Sequence, residues 1–216
     1  MIDVREFTVG PVQENCFLVR QRGSATAVVV DPGDEAERLI RAIEELGIET
    51  VEAILVTHTH FDHIGAVAPV ARATGAPVYC PALETQVLAN IMDYVPWPGF
   101  GPFESYDADH TVEGGETLEL SGLSFEVIFT PGHSPGHVTY ALAGDDALFS
   151  GDVLFQGSVG RVDLPGGDWP TLLRSIESLI DRFPEETTVY PGHMGITTLG
   201  RERATNPFLR ELPAKQ

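Results

Sequence analysis

The sequence predicts an α/β (α+β) fold, a four-layer αββα sandwich in which two internal sheets are each covered on the outside by helices. Three observations predict it. Strand-like runs occur in both halves of the chain, helical repeats with a single apolar face accompany them, and no shift in composition marks a linker between the halves. An amphipathic helix and a half-buried sheet each need a partner layer, so strands in both halves with helices outside them favour two stacked sheets. Residues 1–216, of which 43% are apolar, are expected to form one domain with a sizeable core.

The elements follow in order. Ile2–Val9, Asn15–Gln21 and Ala25–Val30 are β-branched or alternating in character and are separated by Gly-Pro and Arg-Gly turn signals. Asp34 is the expected N-cap of a helix reaching about Leu46, with Ala36, Leu39, Ile40, Ile43 and Leu46 on one face and Gly47 as the stop. Val51–Val56 is the next strand, His63–Thr74 reads as a helix ended by Gly75, Ala76–Cys80 is a short strand, and Pro81 opens a helix to about Met92. Asp93–His110 breaks the pattern: a loop dense in Pro, Gly and aromatics (Tyr94, Trp97, Phe100, Phe103, Tyr106) that is placed either as a cover over a cleft or as a packed surface loop. In the second half, Glu116–Leu120, Leu123–Phe129, Val138–Leu142, Ala147–Ser150 and Thr187–Tyr190 read as strands. Asp168–Phe183 reads as a helix capped by Asp168, with Pro170 in its first turn.

Composition narrows the function classes. The formal net charge is −19, so a nucleic acid or an anionic membrane would be repelled over much of the surface. The cations are twelve Arg and a single Lys, Lys215, so a functional cation in the body of the chain is Arg or metal. No signal-peptide pattern opens the sequence and no apolar run is long enough to span a membrane, which gives a cytoplasmic expectation. Cys16 and Cys80 sit in apolar strand contexts and read as small buried hydrophobes.

The chemistry-bearing residues gather behind strands. THTHFDH, Thr57–His63, follows Val51–Val56 and carries His58, His60, Asp62 and His63. TPGHSPGH, Thr130–His137, carries His133 and His137; FSGDV, Phe149–Val153, carries Asp152; YPGHM, Tyr190–Met194, carries His193. His110 stands apart in the long loop. One strand-end His is ordinarily a satisfied polar residue. Four strand ends that all carry His or Asp point to convergence on a metal, since imidazole and carboxylate suit zinc, iron and manganese.

The pattern HxHxDH over His58–His63, with His133, Asp152 and His193 downstream, resembles the metallo-β-lactamase-fold hydrolase superfamily. The likeness runs from GPVQENCFLV to PGHM. Within it the chain is most similar to short single-domain members of the glyoxalase II-like group, through GSVGRVDLPGGD (Gly157–Asp168) and TTLGRERATNPFL (Thr197–Leu209). The resemblance implies a metallo-β-lactamase fold and two divalent ions, zinc first with iron or manganese as options. His58, His60 and His133 would hold one ion; Asp62, His63 and His193 the other; Asp152 would bridge them. It implies a hydroxide between the ions, Asp62 orienting that nucleophile as the catalytic residue, and hydrolysis of a small-molecule thioester in the manner of hydroxyacylglutathione hydrolase.

Departures from full-length glyoxalase II bear on glutathione. About 23 residues follow His193, too few for that enzyme's C-terminal helical domain, and its lysine after the bridging Asp is matched at best by Arg161. Arg161 is therefore either a contact for a substrate carboxylate or half of a surface ion pair. His137, outside the ligand set, is placed as a substrate contact, a support behind the ligands or a turn stabiliser. Arg201 and Arg203 are a second candidate contact for substrate, with a surface role the favoured reading. The second functional reading is a persulfide dioxygenase-like oxidoreductase on the same fold, with a single iron on His58 or a neighbouring His, His133 and Asp152. A nuclease is disfavoured by the negative charge.

Overall fold

The structure, a computed structural model, describes residues 1–142 and 144–210; Lys215 lies outside them. The first sheet runs in the order β1 (Ile2–Val9), β2 (Glu14–Gln21), β3 (Thr26–Val30), β4 (Thr50–Leu55), β5 (Val78–Pro81) and β6 (His110–Val112). Its first three strands pair antiparallel and β3 to β6 run parallel. Three of the parallel crossovers demand intervening chain. It is supplied by α1 (Ala36–Glu45) after β3, by α2 (Phe61–Ile64) and α3 (Val67–Thr74) after β4, and by α4 (Thr85–Leu88) and α5 (Ile91–Tyr94) after β5. The second sheet holds β7 (Thr117–Leu120), β8 (Leu123–Phe129), β9 (Val138–Leu142) and β10 (Ala147–Gly151). A small hairpin of β11 (Leu154–Phe155) and β12 (Ser158–Val159) then leads to α6 (Trp169–Arg182). β13 (Thr188–Pro191) pairs parallel to β10 and β14 (Thr197–Thr198) lies at the sheet edge, before α7 (Leu199–Thr205).

Strand periodicity sorts the apolar residues into three cores. Along β3, Val28 and Val30 face the space between the sheets, while Ala27 and Val29 face α1 and α3. β4 divides the same way, Ala53 and Leu55 inward, Ile54 outward. From the second sheet Phe125, Val127, Tyr140 and Phe149 fill the middle core, and Ala141 and Leu148 meet Leu172, Ile176 and Leu179 of α6. Such alternation, with apolar groups on both faces, is what a sheet covered on two sides requires. Three cores separated by two sheets are the predicted four layers. Cys16 and Cys80 are buried and free, as expected.

Several local expectations are corrected. Asp34 does not cap α1: Glu35 holds that position with a left-handed φ of 52° and no side-chain cap, while the Asp34 carboxylate accepts the Glu35 amide at 2.6 Å. The helix expected over 63–74 breaks at Gly65-Ala66, because the Ala66 amide is drawn to the Pro32 carbonyl at 3.0 Å instead of continuing the helical ladder. The helix expected over 81–92 is a 3-10 turn (Ala82–Glu84) and two single-turn helices, α4 and α5. His110 starts β6 opposite Tyr79, so the long loop ends in a strand. No helix among the described residues is long and apolar enough to cross a membrane.

Candidate metal centre

Strand pairing brings the four predicted tips to one end of the two sheets. THTHFDH leaves β4, His133 lies in the β8–β9 loop, Asp152 follows β10, and His193 follows β13. Glycine allows the close approach. Gly151 has a φ of +46°, and a Cβ there would lie 2.4 Å from Thr57 Oγ1 and 2.6 Å from His137 Nε2. At Gly192 a Cβ would lie 2.4 Å from Asp152 Oδ1. Asn15 fixes the last tip: its amide donates to the Gly192 carbonyl at 2.7 Å, and its side chain donates to Pro191 O at 3.1 Å and Met194 O at 2.8 Å.

All seven predicted ligands meet there. His133 Nε2 lies 3.1 Å from His58 Nε2 and 2.7 Å from His60 Nδ1, and those two lie 3.2 Å apart. Zinc–nitrogen bonds of about 2.0–2.1 Å in a tetrahedron put ligand atoms roughly 3.3 Å apart, so this triad is close to the spacing a single ion imposes. In the second group His193 Nε2 lies 3.2 Å and His63 Nε2 3.9 Å from Asp62 Oδ2. Asp152 stands between the groups: Oδ2 is 3.4 Å from His133 Nε2 and 3.6 Å from His193 Nε2, and Oδ1 is 3.3 Å from His63 Nε2. His63 Nε2 and Asp152 Oδ1 are buried without a hydrogen-bond partner among the described residues. Two orphaned ligand atoms 3.3 Å apart are what a metal would satisfy, so the donor set fits two ions sharing a carboxylate.

The electrostatics separate the two groups. Burial, together with the surrounding imidazoles, holds His58 well below the ordinary imidazole range and His60 at about 4. His63 and His193 go the other way. Burial pushes both down, but the carboxylates around them, Asp152 foremost, outweigh it and raise them. Asp152 and Asp62 are held below the usual carboxylate range: burial pushes them up, and the neighbouring histidines more than offset it.

The remaining predicted residues divide. His137 does not reach the cleft. It is fully buried, its Nδ1 lies 3.0 Å from Thr130 Oγ1, and its Nε2 accepts the Asp152 amide at 3.1 Å. A substrate contact is therefore corrected to a support for the Asp152 backbone. Arg161 does line the cleft, but its guanidinium is held by Asp163 at 2.6 and 2.7 Å and lies over the Trp97 ring at 5.5 Å. Its carbonyl oxygen lies 2.7 Å from His133 Nδ1 and orients that ring. The cleft is about 720 Å³ and its floor includes His60, Asp62, His133, Asp152 and His193. Of the long loop's aromatics, Tyr94 and Trp97 line it, while Phe100 and Phe103 pack with Trp97 on Phe61, next to His60.

The family-level comparison agrees with this geometry: the description of the Metallo-beta-lactamase superfamily matches residues 9–193. The chain belongs to that superfamily. Among its relatives are the probable metallo-hydrolase YqgX of Bacillus subtilis, 40% identical over 95% of this chain and 96% of that protein. Hydroxyacylglutathione hydrolase GloC of Haemophilus influenzae is 34% identical over 96% of this chain and 98% of GloC. Solved structures with the same superfamily fold include the B3 metallo-beta-lactamase BLEG-1 (TM-score 0.90, 41% identity, 96% of this chain and 100% of BLEG-1). TTHA1623 in a di-iron-bound form gives a TM-score of 0.83 at 43% identity, over 95% and 100% of the two chains. ETHE1 from Myxococcus xanthus gives 0.78 at 27%, over 95% and 83%. The chain is thus a metallo-hydrolase-family protein with the metallo-beta-lactamase fold and divalent-metal ligands.

Three buried acids behind this superfamily centre are absent from the motif reading. Asp31 Oδ2 lies 3.0 Å from His63 Nδ1 and also accepts from Thr57 Oγ1 at 2.6 Å, while Oδ1 accepts the Thr57 amide at 2.7 Å. Like Asp152 it ends an apolar strand, and that shared placement is the signal that could have found it. Glu14 is fully buried 3.7 Å from His63 Nδ1, and burial raises it well above the usual carboxylate range. Glu84, in the turn after β5, has no pattern that marks it in the sequence.

Proposed function

We propose that this protein is a metal-dependent thioester hydrolase of the hydroxyacylglutathione hydrolase type, acting with two divalent ions, zinc first. The observation that carries the reading is the Asp152 carboxylate, with oxygens facing His133 on one side and His63 and His193 on the other. When bound there, the ions supply a water activated at neutral pH and polarise the scissile carbonyl.

The chain's own residues do the rest. Asp62 lines the cleft beside both histidines of the second group and is placed to accept a hydrogen bond from the attacking water and aim it. Phe61, Val87, Trp97, Phe155 and Leu164 give the cleft apolar walls that shield the reacting thioester from bulk solvent. Arg161, turned from Asp163 toward the cleft, would receive a substrate carboxylate. The likeness to GloC over nearly both chains supports a glutathione-derived thioester, and the di-iron form of TTHA1623 supports two ions. The substrate is a small molecule, with nucleic acid and membrane disfavoured by charge, and the proposed location is the cytoplasm.

The test follows thiol release from S-lactoylglutathione by zinc-loaded protein. Metal-dependent turnover supports the reading; no turnover by fully loaded protein refutes it. A second reading, a single-iron persulfide dioxygenase, has in its favour the proximity of His58, His133 and Asp152 and the likeness to ETHE1. It leaves the Asp62, His63 and His193 group without a purpose. Oxygen consumption with glutathione persulfide by iron-loaded protein would establish it.

A further inference from the structure

We propose that Glu84 is a positioning residue that locks the two loops carrying the first-ion ligands into one register, an inference that rests on the metal-centre reading above. Glu84 is 4% exposed, and its hydrogen-bond partners among the described residues are all uncharged donors. Oε2 accepts the Thr59 amide at 2.7 Å and the Thr59 hydroxyl at 2.8 Å. Oε1 accepts the Gly136 amide at 2.9 Å and the Ser134 hydroxyl. Thr59 stands between the ligands His58 and His60; Ser134 follows the ligand His133. One carboxylate thus joins the pieces of a triad that the sequence separates by more than seventy residues.

A buried carboxylate is costly unless every lone pair finds a donor. Here four donors converge on it, and charge-assisted bonds of this kind are both stronger and more directional than neutral ones. The approach is close enough to dictate sequence. A Cβ at Gly136 would lie 2.6 Å from Glu84 Cγ, so glycine is the residue that lets the second loop reach this side chain. A backbone bond from Val138 N to Thr57 O at 2.9 Å also joins the loops, on the far side of His58. Glu84 adds the tie that fixes His60 against His133. It touches none of Asp62, His63 and His193, so its action is selective for the first ion. Partners that orient metal ligands from behind are worth about 10–100-fold in metal affinity.

The test is Glu84→Gln in the full chain loaded with zinc, followed by competition with a chromophoric chelator. Glutamine keeps the shape but turns one acceptor into an NH2 group facing donors. The expected result is that one zinc ion is surrendered ~10–100-fold more readily while the other is held as in the wild type. Cobalt substitution should show weakened absorption from the ion held by His58, His60 and His133, with unchanged far-UV circular dichroism. Wild-type retention of both ions, or equal weakening of both, overturns the proposal. Should Glu84→Gln fail to fold, Ser134→Ala removes a single donor from the β8–β9 loop; a smaller but equally selective loss supports the proposal and an unchanged profile overturns it. The readout is zinc itself, so a failed thioester assay would sink the functional reading and leave this one standing. A wild type holding a single zinc would sink the two-ion reading, and Glu84 would then be judged on the release of that ion.

Discussion

Asp152 ties the two groups of the centre together, since histidines of both lie within 3.6 Å of its oxygens. Asp152→Ala is expected to lose both ions and nearly all turnover, because two cations would then face each other without a shared anion; two retained zinc ions by elemental analysis would remove its bridging role. Proton competition should separate the two groups. Zinc binds neutral imidazole. His58 and His60, the latter at about 4, stay neutral through mildly acidic pH, whereas His63 and His193 are raised and hold protons there. In zinc-free protein the raised His63 stabilises the fold fully below the unfolded imidazole value of about 6.5, and that contribution is lost as pH rises through its folded value. Zinc affinity of the second group runs oppositely, rising with pH as those protons leave. Native mass spectrometry of the zinc-loaded protein across pH 5–8 should therefore show the second ion leaving first on acidification; simultaneous loss would contradict the ordering. At the rim, Arg161→Ala is expected to raise KM for an anionic thioester several-fold with little change in kcat, and Asp163→Ala, which frees the guanidinium, to lower it. An unchanged KM in both assigns the pair to the surface. The ligands were legible because each sits in a short sequence with Gly or His at fixed offsets. Glu84 and Glu14 were not, because a lone Glu after a strand carries no pattern and its role is set by loops distant in sequence.

Elements place these side chains, and the strand tips matter more than the helices. β4, β10 and β13 each lead within three residues into a ligand, and their register fixes how near the ligands come. Gly192→Ala is expected to expel zinc while leaving the sheets intact, since the new methyl would meet Asp152 Oδ1 and the His63 ring at 2.4 and 2.6 Å. Circular dichroism with metal analysis checks this; a zinc-replete Gly192→Ala protein would show that the tips have room to spare. Strands and the α6 cap were legible, the latter because Asp168 accepts the Thr171 amide at 2.9 Å as a capping Asp should. The break between α2 and α3 was not. It depends on the Pro32 carbonyl reaching Ala66, a contact between loops that a local apolar repeat does not encode. β6 was hidden for the same reason: three residues joined to β5 only by pairing carry too little periodicity of their own.

At the scale of the molecule, two sheets pack through a middle core and carry one ligand loop from the first half beside three from the second. That arrangement follows from alternating residues in β3, β4, β9 and β10, which is why the layers could be predicted while the exact helix ends could not. The net charge of −19 makes the centre the natural home for cations, and its acids converge where divalent ions would neutralise them. Catalysis is expected to need both groups filled together. Stepwise addition of zinc to chelator-stripped protein, with S-lactoylglutathione turnover read at each step, tests it most directly. Turnover should rise to a plateau at two equivalents per chain; a plateau at one equivalent, or none with both groups filled, would contradict it.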